Sequence, residues 1–315
     1  MAAAFHAHVA TLRPWDGRSS KYKCELVNGS HRASGTRCRF GSCVRQVWSM
    51  KVETGVANVN GTALYYEVHS SRAKKPLLFL HAFANDARMW DDYLDLLKSF
   101  RLFRYDMRGF GRSELPQVDQ PYLHSEDLLA LLDYLQVEKV RLVAPSMGGA
   151  VALEFAADHP ERVAAMCLIS PSLYGHMWMT MDSIIDISDV EEAGLDALKE
   201  RFLQIKLLQP TMKNDHARRA LQTAMDAYSG WHFHANDPLT RKEPNTIERL
   251  SEIRAPVLVI VGEHDGRDFQ LIADEIVAGA PDARKYVMEG VGHCASIENV
   301  EATKQALLDF LTQVK

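Results

Sequence analysis

Hydrophobic and polar positions change period several times along this chain, and each change marks an element. Two strand-like runs at 55–59 and 62–68 flank Asn60-Gly61, a pair that accepts positive φ at both positions of a tight hairpin turn. Short, mostly apolar runs follow at 77–80, 103–105, 140–143, 163–169, 256–261 and 285–288. Between them the period lengthens to that of a helix over 122–135, 147–158, 268–278 and 300–314. Short apolar strands separated by helices predict an α/β fold whose central sheet is mostly parallel, buried on both faces, and antiparallel at its first strands.

One stretch breaks the rhythm. Residues 171–245 carry no parallel-strand signal; helical patterns at 191–208 and 216–227 are joined by links rich in Met and aromatic residues. An insertion after a strand's C-terminal end lies where ligands bind in α/β sheets, so 171–245 is expected to form a helical cap within a domain spanning 52–315. Residues 1–50 are different material, with eight Lys and Arg against Asp16 and Glu25 and no sustained period. They read as a basic extension that is either disordered, a cleavable organelle-targeting peptide, or sequence upstream of a start at Met50.

Composition narrows the function classes. A chain of 315 residues, 47% hydrophobic, can bury a full core. Its 36 basic residues against 41 acidic ones build no positive field for nucleic acid. The apolar runs are too short to span a membrane. Cysteines at 24, 38, 43, 167 and 294 complete no metal-ligand spacing, so no metal is expected, and the odd count favours a reducing, cytoplasmic setting. An organelle reached after cleavage of the N-terminal segment is the alternative location.

The candidate chemistry starts at Val143-Ala144-Pro145-Ser146-Met147-Gly148-Gly149, between an apolar run and a helical pattern. A strand that turns abruptly into a helix strains its corner residue, projects that side chain outward and needs small neighbours. Ser146 stands at that corner. A serine hydroxyl must lose its proton as it attacks, which calls for an imidazole, and the imidazole needs a carboxylate to orient it and offset its charge. Asp265 follows the run 256–261 and His293 follows 285–288, which gives the order nucleophile, acid, base. The backbone amides of Phe83, after His81-Ala82, and of Met147 are candidates for holding an oxyanion. The loop Asp106-Met-Arg108-Gly109-Phe110-Gly111-Arg112-Ser113 is assigned a structural role beside the site. Tyr174, Met177, Trp178 and Trp231 in the inserted stretch are candidates for the substrate pocket, because Met and aromatic side chains fill irregular apolar space.

Over residues 52–315 the chain resembles the α/β-hydrolase superfamily. The resemblance rests on five blocks in order: the 77–83 strand with its His, the 106–113 loop, Ser146-Met147-Gly148-Gly149, Gly262-Glu-His-Asp265 and Gly292-His293. Within the superfamily the likeness is to small-molecule esterases, enol-lactonases and carbon-carbon hydrolases with a helical cap. It implies Ser146 as nucleophile, Asp265 as acid, His293 as base, the Phe83 and Met147 amides as oxyanion hole, and no cofactor. The expected substrate is a small, largely apolar carboxylic ester or lactone. A carbon-carbon hydrolase acting on a diketone and a ligand-binding receptor on the same scaffold are the alternatives; oligomeric state stays open. Ala82 and Ala144 stand where the family usually has Gly, and Cys294 where many enol-lactonases and carbon-carbon hydrolases place Trp.

Overall fold

The computed structural model describes residues 51–70, 73, 75–180 and 194–314; the basic segment 1–50 and the first three positions of the expected helix 191–208 lie outside them. Strands β1 (Lys51–Val59) and β2 (Thr62–Ser70) pair antiparallel, closing on Val59 opposite Thr62. Asn60 and Gly61 take φ of 47° and 70°, the two left-handed positions that this turn type requires.

Six more strands follow: β3 (Pro76–Phe79), β4 (Arg101–Tyr105), β5 (Val140–Pro145), β6 (Val163–Ile169), β7 (Val257–Gly262) and β8 (Ala283–Met288). They join the hairpin in one eight-stranded sheet of order β1-β2-β4-β3-β5-β6-β7-β8. β2 meets β4 antiparallel, and every pair from β4 through β8 is parallel.

The apolar strands are explained by where alternate residues go. Leu142 and Ala144 of β5, Met166 and Leu168 of β6, and Val257, Val259 and Val261 of β7 pack into one core. Their neighbours Val143, Cys167, Ile169, Leu258 and Ile260 pack into a second core on the opposite face. The first face is covered by helices His124–Tyr134, Ser146–Asp158 and Arg267–Gly279, through residues such as Leu128, Phe155 and Ile272. The second is covered by helix Val300–Gln313 and by a 3-10 helical stretch, Ala87–Lys98, that the hydrophobic pattern did not reveal. Its buried residues Trp90, Tyr93 and Leu96 recur every three positions, the period of a 3-10 turn, and so miss the helical template. The Trp90 indole also donates to the Leu80 carbonyl at 2.7 Å, fixing the loop after β3. Edge strand β8 departs from the both-faces expectation, with Tyr286 and Val287 exposed.

Between β6 and β7 the described chain is helical: Leu195–Gln204, Gln209–Met212, Asp215–Ala227 and Trp231–His234, with 3-10 turns at Lys206–Leu208 and Thr246–Glu252. The expected helix 191–208 breaks at Ile205, whose ψ of 148° is extended and turns Leu207 and Leu208 inward to bury. Among the described residues this stretch makes one β contact, an isolated bridge between Tyr122 and Leu239. The described residues form one compact unit.

Candidate active site

Ser146 ends β5 and begins helix Ser146–Asp158, with φ of 44°. That left-handed corner is costly for a non-glycine residue and is held by close packing around it. A Cβ at Gly148 would stand 2.7 Å from the His81 carbonyl oxygen, and one at Gly149 would stand 2.5 Å from Cβ of Pro171. Only glycines let the helix start this close to the loops after β3 and β6. The Ser172 amide donates to the Ser146 carbonyl at 2.9 Å, pinning the corner from the far side.

His293 and Asp265 arrive from the loops after β8 and β7. Nε2 of His293 lies 3.1 Å from Oγ of Ser146, and Nδ1 lies 3.0 Å from Oδ1 of Asp265. The Gly266 amide also donates to Oδ1, at 2.7 Å. Oδ2 of Asp265 is buried and, among the described residues, has no hydrogen-bond partner. A buried carboxylate so thinly solvated gains most when the neighbouring imidazole becomes positive. The two loops approach so closely that a Cβ at Gly262 would meet the Gly292 carbonyl oxygen at 2.1 Å.

Glu298 was not singled out from the sequence, where it is one acid among many. Its carboxylate accepts from the amides on both sides of His293, Gly292 at 2.7 Å and Cys294 at 3.0 Å, and from the Thr211 hydroxyl at 2.6 Å. It therefore clamps the histidine loop and ties it to helix Gln209–Met212. Phe269 packs its ring 4.2 Å from the imidazole. Glu263, the other acid near Asp265, accepts from the Gly290 amide instead and stays out of the relay.

The loop 106–113 is braced as expected. Asp106 accepts from the amides of Ala87 and Arg112, each at 2.8 Å, and Arg108 forms a two-pronged pair with Asp127 at 2.9 and 2.7 Å. His81 orders its surroundings: Nδ1–H donates to the Ala82 carbonyl at 2.8 Å and Nε2 accepts from the Met107 amide at 2.9 Å. Burial lowers its pKa, which matches a neutral ring.

Ser146 and His293 open onto a cavity of about 560 Å³ that Phe83 and Met147 also line. The amide of Met147 lies in the first turn of its helix, where N–H groups lack intrahelical partners. Apolar walls come from Phe202, Leu207, Leu208, Leu221, Phe233 and Phe269. A second lobe of about 560 Å³ shares Phe83, Met147, Ser172, Trp178, His232 and Arg241 with the first, so these six form a waist. Burial pushes His232 down to about 4 and His124, deeper in the second lobe, to about 3, so both rings are neutral near pH 7.

The four pocket candidates fare differently. Trp178 lines both lobes and Tyr174 lines the second. Met177 is 83% exposed and joins neither wall; it belongs to the outer side of the loop, where chain direction rather than residue type decides orientation. Trp231 is buried but lines neither lobe, and its neighbours His232 and Phe233 take that place. Leu207, Leu208 and Leu221 escaped sequence reasoning because apolar residues on a helical stretch read equally well as core.

Glu126, Asp158 and His159 bring ligand atoms within 4.8 Å of one another, but the Lys242 ammonium already bridges the two acids at 2.7 and 2.6 Å.

A twisted parallel sheet, a serine at the strand-to-helix corner, and a histidine and carboxylate converging from later loops define a hydrolase class. Residues 75–300 match the profile described as the alpha/beta hydrolase fold, and the chain belongs to that family. It is an alpha/beta hydrolase. A 2-hydroxy-6-oxononadienedioate/2-hydroxy-6-oxononatrienedioate hydrolase of Comamonas testosteroni is 29% identical over 253 residues, spanning 75% of this chain and 87% of that protein. A 2-hydroxy-6-oxo-6-phenylhexa-2,4-dienoate hydrolase of the same species is 28% identical over 257 residues, 75% of this chain and 87% of that protein. Among solved structures, the enol-lactonase from Burkholderia xenovorans LB400 superposes with a TM-score of 0.65 at 25% identity, covering 82% of this chain and 100% of that one.

Proposed function

We propose that this hydrolase cleaves a small, largely apolar carboxylic ester or lactone through an acyl-enzyme on Ser146. The observation that carries the reading is the continuous relay from Oγ of Ser146 through His293 to Asp265, 3.1 and 3.0 Å long, on the floor of an apolar cavity. Nε2 of His293 takes the hydroxyl proton as Oγ attacks the carbonyl carbon, and Asp265 offsets the charge on the ring. The amides of Phe83 and Met147 receive the oxyanion. Collapse breaks the ester bond, and the departing alkoxide leaves with the proton from His293. Water then gives a proton to His293 and attacks the acyl carbon, and Ser146 recovers its proton as the acid departs. Backbone donors and the relay supply every group this cycle uses. Residues 171–245 act as the cap that sets substrate choice, and cytoplasmic location and a small-molecule partner go with the reading.

A second reading is carbon-carbon hydrolysis. The two Comamonas relatives are named for hydroxy-oxo-dienoates, molecules that contain no ester, so their hydrolysis must break a carbon-carbon bond. The same oxyanion donors and base serve a ketone. Cys294, in the position after the histidine where many carbon-carbon hydrolases and enol-lactonases carry Trp, weighs against this reading and against an enol-lactone alike.

A serine-reactive fluorophosphonate should label Ser146 and stop turnover of a neutral short-chain aryl ester, and Ser146→Ala should do the same. Full activity after labelling, or in the variant, overturns the covalent mechanism. Turnover of a vinylogous diketone with no ester turnover selects the second reading.

A further inference from the structure

Resting on the ester or lactone reading, we propose that the substrate carries an anionic end, a carboxylate or its equivalent, and that Arg241 at the waist between the two lobes recognises it. Among the described residues lining the cavity that holds Ser146, Arg241 bears the one formal charge; the other polar groups there are neutral hydroxyl, amide, thiol and imidazole. Among the described residues no carboxylate lines that lobe, and Asp237 and Glu243 line the second lobe only.

Those acids are already engaged. Oδ1 of Asp237 accepts from the Tyr122 hydroxyl and the Leu239 backbone amide, each at 3.1 Å, and the two oxygens of Glu243 accept from the side-chain Nδ2 of Asn245 at 3.3 and 3.2 Å. Neither forms an ion pair with Arg241. The contact seen for the guanidinium is with the Tyr174 ring, 5.1 Å from its centroid. Stacking on an aromatic face holds a guanidinium flat and leaves its edge N–H groups for a ligand. Two arginines of neighbouring segments are neutralised within the protein: Arg249 pairs with Asp158 and Glu252, and Arg218 with Asp215. An exposed guanidinium at the cavity mouth, set over a ring and with no carboxylate partner among the described residues, matches the fork geometry of an incoming one.

The placement also fixes how a substrate would lie. An anion is repelled by Asp237 and Glu243 of the second lobe and meets no cation among the described apolar walls of the first. It therefore settles at the waist beside Arg241, with its apolar body over Phe202, Leu208, Leu221 and Phe233 and its carbonyl at Ser146. The substrate is apolar through most of its length and acidic at one end.

Calorimetric titration of the Ser146→Ala protein tests this without turnover, using phenylacetate, phenylpropanoate, phenylbutanoate and their primary amides as probes. At least one acid should bind about tenfold more tightly than its amide. Arg241→Gln in the same background should remove that gap, and Arg241→Lys, which keeps the charge but not the fork, should keep part of it. Equal binding of acids and amides, a gap that survives Arg241→Gln, or no saturable binding of any acid overturns the proposal. Failure of the ester reading would appear separately, as absence of turnover of a neutral aryl ester by the wild-type protein.

Discussion

The two sides of the cavity are built by different means. On the sheet side, Ser146, His293 and Asp265 stand on loops locked backbone to backbone: Gly148 against His81, Gly262 against Gly292, and the His264 amide on the Val291 carbonyl at 2.9 Å. On the opposite side the walls are side chains of short helices and turns, touching through rings such as Phe202 with Phe233, both of which pack on Phe83 of the loop after β3. A tie between them at the relay is Glu298, whose carboxylate holds both the histidine loop and Thr211 and whose carbonyl accepts from the Asn214 side chain. Backbone contacts leave a relay no freedom to drift, whereas side-chain walls can be exchanged without moving it. The chemistry therefore resides in the frame and the selectivity in the wall.

Substitutions can break that division. Asp265→Asn should cost the most, lowering kcat by about a hundredfold to ten-thousandfold, since the amide presents the wrong hydrogen-bond pattern to Nδ1. Melting temperature should stay close to wild type; steady-state kinetics with an aryl ester and a thermal melt check both. A small kinetic loss would show that the carboxylate is not the partner of His293 in turnover.

Glu298→Gln comes next. One of its two acceptor oxygens becomes an NH₂ facing amide donors, so the histidine loop shifts, and kcat should fall by about ten- to a hundredfold. KM should move less. Thr211→Val removes one of the ties to the wall, leaving that from Asn214, and should affect kcat less than Glu298→Gln; the reverse ranking would mean that the wall, and not the frame, positions His293.

Phe202→Ala belongs to the wall. Lost apolar contact should raise KM for a bulky acyl group by about tenfold or less, with kcat for a short acyl group changed little. A Michaelis analysis across acyl chain lengths measures it. An equal loss for all lengths would count against the division.

The smallest effect concerns pH and the frame alone. Glu67 of β2 is buried; burial pushes its carboxyl up, but bonds from His69, Arg104 and Tyr65 outweigh this and leave it lowered from 4.5 to about 2. Its folded value lies below its unfolded one, so the stabilisation is complete above about pH 4.5 and is lost as pH falls toward 2, amounting to about 1–3 kcal/mol. Denaturant melts between pH 6 and about pH 2 should show this slope, and Glu67→Gln should flatten it. An unchanged slope in the variant would place the acid sensitivity elsewhere.

The sequence by itself determined the features that depend on local chemistry. Asn60-Gly61 could close only one kind of hairpin, the apolar runs other than 285–288 had to be strands buried on both faces, and Ser146 among small residues had to sit at a corner. It also put Ser146, Asp265 and His293 each on a loop after a strand. The tertiary structure decided what depends on which elements meet. Glu298 and Arg241 are unremarkable as letters, because a clamp and a cation at a cavity mouth are relations between distant segments. Ile205 breaks a run that reads as helical, Met177 faces away from the cavity while the half-exposed Trp178 lines it, and Trp231 yields the wall to His232 and Phe233. Residue type states what a side chain can do in water or in a core; only packing states which of the two surrounds it.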